Sequence, residues 1–144
     1  MSYPCRTHRR VRTPIAGRDD AAHTLLLATD RGAYECAVVA CVDASRLPLT
    51  MFIFDGRSDL DDALELGVEA VIAAAASADS PLAAIFLGSS RTSGELGPSP
   101  TDERRWVRMA ERCADAGVEL LDWLLIREGT VCSVAEGLEP GPCW

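Results

Sequence analysis

Apolar and polar residues change period several times along the chain, and each change marks an element. Thr24–Thr29 (TLLLAT) is a short apolar run and reads as a strand. Asp30-Arg31-Gly32 is a turn signal, and Ala33–Val42 returns as a second strand, which together predict a hairpin. After a loop at Asp43–Leu47, Leu49–Phe54 predicts a third strand. The period then lengthens. Leu60, Leu64, Val68, Val71, Ile72 and Ala75 recur at helical spacing, with Asp61, Asp62, Glu65 and Glu69 on another face, read as solvated. Ser58 with Asp61 resembles a capping box, so this helix is expected from about residue 59 to 78. Leu82–Leu87 reads as a buried strand and Gly88–Pro98 as a loop. Ser99-Pro100-Thr101-Asp102 then opens a second helix, with Ser at the N-cap, Pro at the first helical position and an acid at the third. Trp106, Met109, Ala110 and Cys113 form its inner face, and Gly117 stops it. Val118–Ile126 and Thr130–Ala135 are two further strands about a turn at 127–129.

The predicted order is β-β-β-α-β-α-β-β, an α/β sandwich in which helices pack on a mixed sheet. One domain is expected over residues 23–136, with an Arg-rich tail at 1–22 and a Gly/Pro-rich tail at 137–144. A chain of 144 residues is long enough to bury a core without staples.

Charge narrows the function classes. The net charge is −8, and all 14 cations are Arg. Arg6, Arg9, Arg10, Arg12 and Arg18 precede the first acid, Asp19; from there on nine Arg face 22 acids. An acidic body argues against a nucleic-acid surface on the folded part. Contact with an anion or nucleic acid is left to the head, through Arg6, Arg9, Arg10 and Arg12. The first 18 residues carry Arg rather than an apolar run, so no leader and no membrane segment are expected, and the location is read as cytoplasmic. The six cysteines, Cys5, Cys36, Cys41, Cys113, Cys132 and Cys143, form no Cys-x-x-Cys pair and are read as reduced thiols. Cys36 and Cys41, five apart on one strand, should face opposite sides. The sequence has no dinucleotide-binding glycine motif, no P-loop and no nucleophile elbow. A Ser/His/Asp triad would need His8 or His23, the only histidines, and both precede the first expected strand.

The informative segment is Leu82–Glu136. Its loop runs Gly88-Ser89-Ser90-Arg91-Thr92-Ser93-Gly94-Glu95-Leu96-Gly97-Pro98-Ser99-Pro100-Thr101-Asp102. It resembles the RadC branch of the JAB/MPN (JAMM) metalloprotease-like family, in which His-x-His follows a buried strand and is followed by Ser and Asp. Ser93-Gly94-Glu95 falls on that branch's Ser-Gly-Asp, Pro98-Ser99 on its Pro-Ser, and Asp102 on its final Asp. Leu120-Leu121-Asp122-Trp123-Leu124-Leu125-Ile126 is similar to its strand Leu-Leu-Asp-His-Ile-Ile-Ile. The resemblance covers most of residues 24–136 and implies a JAB/MPN-like (cytidine-deaminase-like) mixed sheet flanked by helices.

In the family, two His and one Asp hold zinc, and an early-strand Glu acts as general base on the metal-bound water. Ser89 and Arg91 stand at the two histidine positions, Asp102 at the third, and Glu35 is the nearest match to the base. Ser is a poor zinc ligand, and a guanidinium cannot coordinate. The resemblance therefore implies a metal-free, catalytically inactive member, a binding or scaffold domain with a protein partner. Its link to DNA repair is by family name alone. The alternative is a zinc-dependent peptidase or isopeptidase with substituted ligands. Cys113 lies 11 residues beyond Asp102, about 16 Å along a helix, too far to share an ion; Cys132 stays open as a substitute. Two readings of Asp102 also stay open. With Ser99 it caps the second helix, or it pairs with Arg91 so that a side-chain cation stands where the metal would be. Pairing of two copies is open as well, since members of this superfamily often pair.

Overall fold

The computed structural model describes residues 13–56, 59–94 and 97–144. Helix α1 spans Arg18–Ala28 and leads through a tight turn at Asp30–Gly32 into β1 (Cys36–Asp43) and β2 (Pro48–Asp55). Helix α2 (Leu60–Ala75), β3 (Leu82–Ser90), α3 (Pro100–Asp115), β4 (Glu119–Arg127) and β5 (Thr130–Ser133) follow. The five strands form one sheet in the order β2-β1-β3-β4-β5. All neighbours run antiparallel except β3 and β4, which are parallel and joined by the α3 crossover. The architecture is α/β, with a mixed sheet and helices on both faces.

The order begins with a helix where a strand was expected. Thr24–Thr29 belongs to α1 and its C-cap. Ala21 and Leu25, one helical turn apart, are its fully buried residues, whereas Leu27 is exposed. Asp19 and Asp20 fill the first turn, where acids complement the helix dipole. The Thr24 hydroxyl bonds back to the Asp20 carbonyl at 2.9 Å. The apolar run was too short to reveal its period, because Ala21, the residue that sets it, lies in the stretch read as a tail. The predicted hairpin over 24–42 is thus replaced by a helix and turn, and β1 pairs with β2 instead.

The two faces of the sheet hold separate cores. Ala37, Val39, Cys41, Ile85, Leu87, Trp123 and Leu125 pack under α2 and α3, which contribute Leu64, Val68, Trp106 and Met109. Cys36, Val38, Ala40, Phe86, Leu124 and Ile126 pack under α1 through Ala21 and Leu25. Cys36 and Cys41 do face opposite sides. The segment after residue 136 is fastened rather than loose. The Cys143 N–H donates to the Leu121 carbonyl at 2.8 Å, the Trp106 indole donates to the Pro140 carbonyl, and Trp144 packs on Phe86 with ring centroids 5.7 Å apart.

Strand β3 runs on through Ser90, three residues beyond the expected end, because Gly88, Ser89 and Ser90 pair with Val38, Ala37 and Cys36 of β1. Gly88 is required there by close approach. A Cβ on it would lie 2.8 Å from a Leu25 methyl of α1. The register between β3 and β4 slips by one residue, so that Leu121 and Asp122 together oppose Phe86. Helix α2 starts after Asp59, and the expected cap at Ser58 lies outside the described residues. Its acidic face is not simply solvated. Asp62 and Glu65 meet Arg105, Glu65 also meets Arg108, and Glu69 meets Arg112 at 2.8 Å, an ion-pair ladder between α2 and α3.

Candidate functional site

The site forms where β3 ends beside the start of α3. Ser89 and Arg91 are two residues apart at the strand end, so both project toward the α2/α3 face. The Arg91 N–H donates to the Ile126 carbonyl of β4 at 2.9 Å, which fixes the backbone there. Ser99 caps α3. Its hydroxyl accepts the Asp102 N–H at 3.1 Å, and the Asp102 carboxylate accepts the Ser99 N–H at 2.8 Å. Pro100 occupies the first helical position, where the missing N–H costs nothing. The capping box predicted from the sequence is present in both directions.

Asp102 does both things asked of it. Besides capping, it receives Arg91 end-on, Nη1 to Oδ2 and Nη2 to Oδ1, both at 2.8 Å. Its residue is only 3% exposed. Arg91 Nη2 also reaches Asp61 Oδ1 on α2 at 3.2 Å, so one guanidinium ties β3 to both helices. The same guanidinium lies 5.8 Å from the centre of the Trp123 ring, whose indole N–H donates to Ser89 Oγ at 2.9 Å. Burial pushes the Asp102 carboxyl up, but the hydrogen bonds from Arg91 and Ser99 outweigh it and hold the group below the usual carboxylate range. The hydrogen bond to Asp102 holds the Arg91 guanidinium above its ordinary value, more than offsetting its partial burial.

Glu35 sits just before β1 and accepts the Thr92 hydroxyl at 3.0 Å. It lines a cavity of about 440 Å³ together with Ser89, Arg91, Ser93, Asp61 and Arg105. The residues singled out by the resemblance, Glu35, Ser89, Arg91, Ser99 and Asp102, therefore gather in one place. The substitutes for lost ligands do not. His23 is exposed on α1, on the far side of the sheet, and Cys113 is buried in the α3 core with its thiol pushed up to about 12 by burial. Cys132 on β5 is near enough to feel Arg91 and Asp102, yet burial raises its thiol and favours the neutral form, a poor ligand. His8, Arg6, Arg9, Arg10 and Arg12 lie outside the described residues.

The donor set does not fit zinc. Both Asp102 oxygens are engaged by Arg91, the Ser89 oxygen already accepts an indole N–H, and a cation occupies the space between them. Among the described residues, no group of three or more His, Cys, Asp or Glu is placed to hold a metal ion. Chemically, the arrangement presents hydrogen-bond donors and acceptors around a polar cavity.

A second polar cluster was missed. Asp122, fully buried at the register slip in β4, accepts the Trp123 N–H at 2.8 Å and the Ser133 hydroxyl at 2.6 Å. It also accepts Arg18 Nε at 3.1 Å and the Trp144 indole at 3.0 Å. Its signal was an acid inside an otherwise apolar strand, but two of its partners, Arg18 and Trp144, come from segments where tails were expected. No helix among the described residues is long and apolar enough to cross a membrane. The chain matches no model of a known protein family and no curated protein.

Proposed function

We propose that this chain is a RadC-like JAB/MPN domain in which the Arg91–Asp102 pair takes the place of the family's metal. It acts by binding a protein partner rather than by hydrolysis. The observation that carries this reading is the two-point contact of Arg91 with Asp102, at the positions the resemblance gives to the second and third ligands. A guanidinium there brings positive charge to a buried carboxylate but cannot lower the pKa of a bound water as a metal does, so it does not supply the family's nucleophile. The gathering of Glu35, Ser89 and Ser93 around the same cavity supports the positional match. The α/β order of a strand, a two-residue spacing at its end and a capped helix is compatible with it.

Two proteins measured side by side test the reading. Elemental mass spectrometry after zinc loading and dialysis should find zinc well below one per chain in the natural protein. The double variant Ser89→His with Arg91→His frees Asp102 and rebuilds the family's donor types, so it should retain close to one zinc per chain. Near-stoichiometric zinc in the natural protein would overturn the metal-free reading in favour of a peptidase with substituted ligands. A folded double variant that retains no zinc would remove the positional match on which the family reading stands.

A further inference from the structure

Among the described residues, the β2 edge of the sheet is unpaired. Strand β2 has β1 on one side and, among the described residues, no strand on the other. An edge strand turns a row of backbone N–H and C=O groups outward, and proteins normally blunt such a row with charge, Pro or bulges. Here Pro48 and the one register shift lie at the same end, and Leu49–Phe54 carries no charge. Phe52 and Ile53 are each 45% exposed, and they point to opposite faces, opposite Val39 and Val38 of β1. Each face also carries an apolar groove beside the strand. One of about 290 Å³ lies against α2 and is lined by Phe52, Phe54, Gly67 and Ala74. The other, of about 190 Å³, lies on the α1 face and is lined by Ile15, Met51 and Phe86. What fits such an edge is an uncharged strand with apolar side chains on both faces.

β2 is itself such a strand. We infer that two copies of this chain associate through β2, antiparallel about a two-fold axis at Phe52, which joins their sheets into one; this rests on the strand edge and not on the reading above. In an antiparallel ladder, opposed residues turn their backbone groups the same way, so the axis passes through a self-paired residue. Centring on Phe52 opposes Met51 to Ile53 on one face, an apolar pair, and on the other face sets the self-paired Phe52 between two Thr50–Phe54 pairs. Charge selects the direction. Asp55 is the only charged residue of β2, and parallel pairing would set it against Asp55 of the second copy. Antiparallel pairing keeps the two carboxylates about 20 Å apart, beyond the screening length at ordinary salt.

Sedimentation of the full chain over a range of concentrations should show a reversible dimer. Phe52→Lys should raise its dissociation constant about tenfold or more while leaving the circular dichroism unchanged. Thr50→Lys, at an exposed position on the same face, serves if that variant fails to fold. Opposed residues lie within disulfide reach, so oxidation of the Phe52→Cys variant should give a symmetric cross-link at that position, and Asp55→Cys none. A chain that stays monomeric throughout overturns the inference. So does a dimer untouched by both lysine variants, or one that cross-links through Asp55→Cys in preference to Phe52→Cys.

Discussion

At the scale of single residues, Arg91 and Asp102 depend on each other. Asp102 is almost wholly buried, and its carboxylate stays charged there because Arg91 and the α3 start supply donors. Removing one partner strands the other, so each single alanine variant should cost about 2–4 kcal/mol. The double variant should cost much less than the sum, with a coupling of about 1–3 kcal/mol in urea unfolding. Additive losses would mean that Asp102 serves only as a cap. The same pair sets an acid limit. A carboxyl held low in the folded state contributes stability that is complete above its unfolded pKa of about 4. That contribution is lost as pH falls through the lower, folded value. Unfolding free energies measured from neutral pH downward should thus hold to about pH 4 and then decline. In Arg91→Ala, burial is no longer opposed by the guanidinium and the folded pKa rises, so the variant starts less stable at neutral pH and this carboxyl's share of the acid decline should shrink, or become a gain where the folded value passes the unfolded one. Identical acid profiles for the two proteins would disprove this origin.

At the scale of elements, the contact between α1 and the sheet is the tightest test of packing. Gly88 lets Leu25 lie flat on β3, and a methyl group there would sit 2.8 and 3.0 Å from its two terminal methyl carbons. Gly88→Ala should therefore lift α1 and cost about 1–3 kcal/mol. Hydrogen exchange should quicken in α1 and leave α3 unchanged; equal loss of protection in both would mean that the helix is not a separate layer. Legibility in the sequence follows the same line. α2 and α3 declared themselves because several turns of apolar spacing, and for α3 a full capping box, agreed with one another. β1 and β4 were legible as apolar runs bounded by turns. α1 was not, because only Ala21 and Leu25 are fully buried along it and Leu26 and Leu27 blur their period. At the site, Ser89, Arg91 and Asp102 were singled out by the resemblance of their loop to a family motif, and the pairing of Arg91 with Asp102 was one of two open readings. Asp61 as a further partner of Arg91 was hidden, because its acidic face looked like an ordinary solvated one. Only the packing of α2 beside α3 brings the two charge patterns together.

At the scale of the whole molecule, one buried carboxylate links α1 and Trp144 to the middle of the sheet. Asp122 is held by a residue of its own strand, by β5, by α1 and by Trp144. Its charge is tolerable because Arg18 matches it, and Arg18, one-third exposed, also reaches Glu136. Arg18 is thus the partner that can be lost without opening the core, which makes it the cleaner probe. Arg18→Ala leaves a carboxylate with three neutral donors and no cation, and should cost about 1–3 kcal/mol. Trp144→Phe keeps a ring against Phe86 and removes only the indole donor, so it should cost about 1 kcal/mol. Because both act on one carboxylate, their combined loss should exceed the sum of the two. Hydrogen exchange should show α1 and the β4–β5 pair loosening together in each variant. If Arg18→Ala loosens α1 alone, the carboxylate is a local tether for that helix, and α1 and Trp144 are fastened independently.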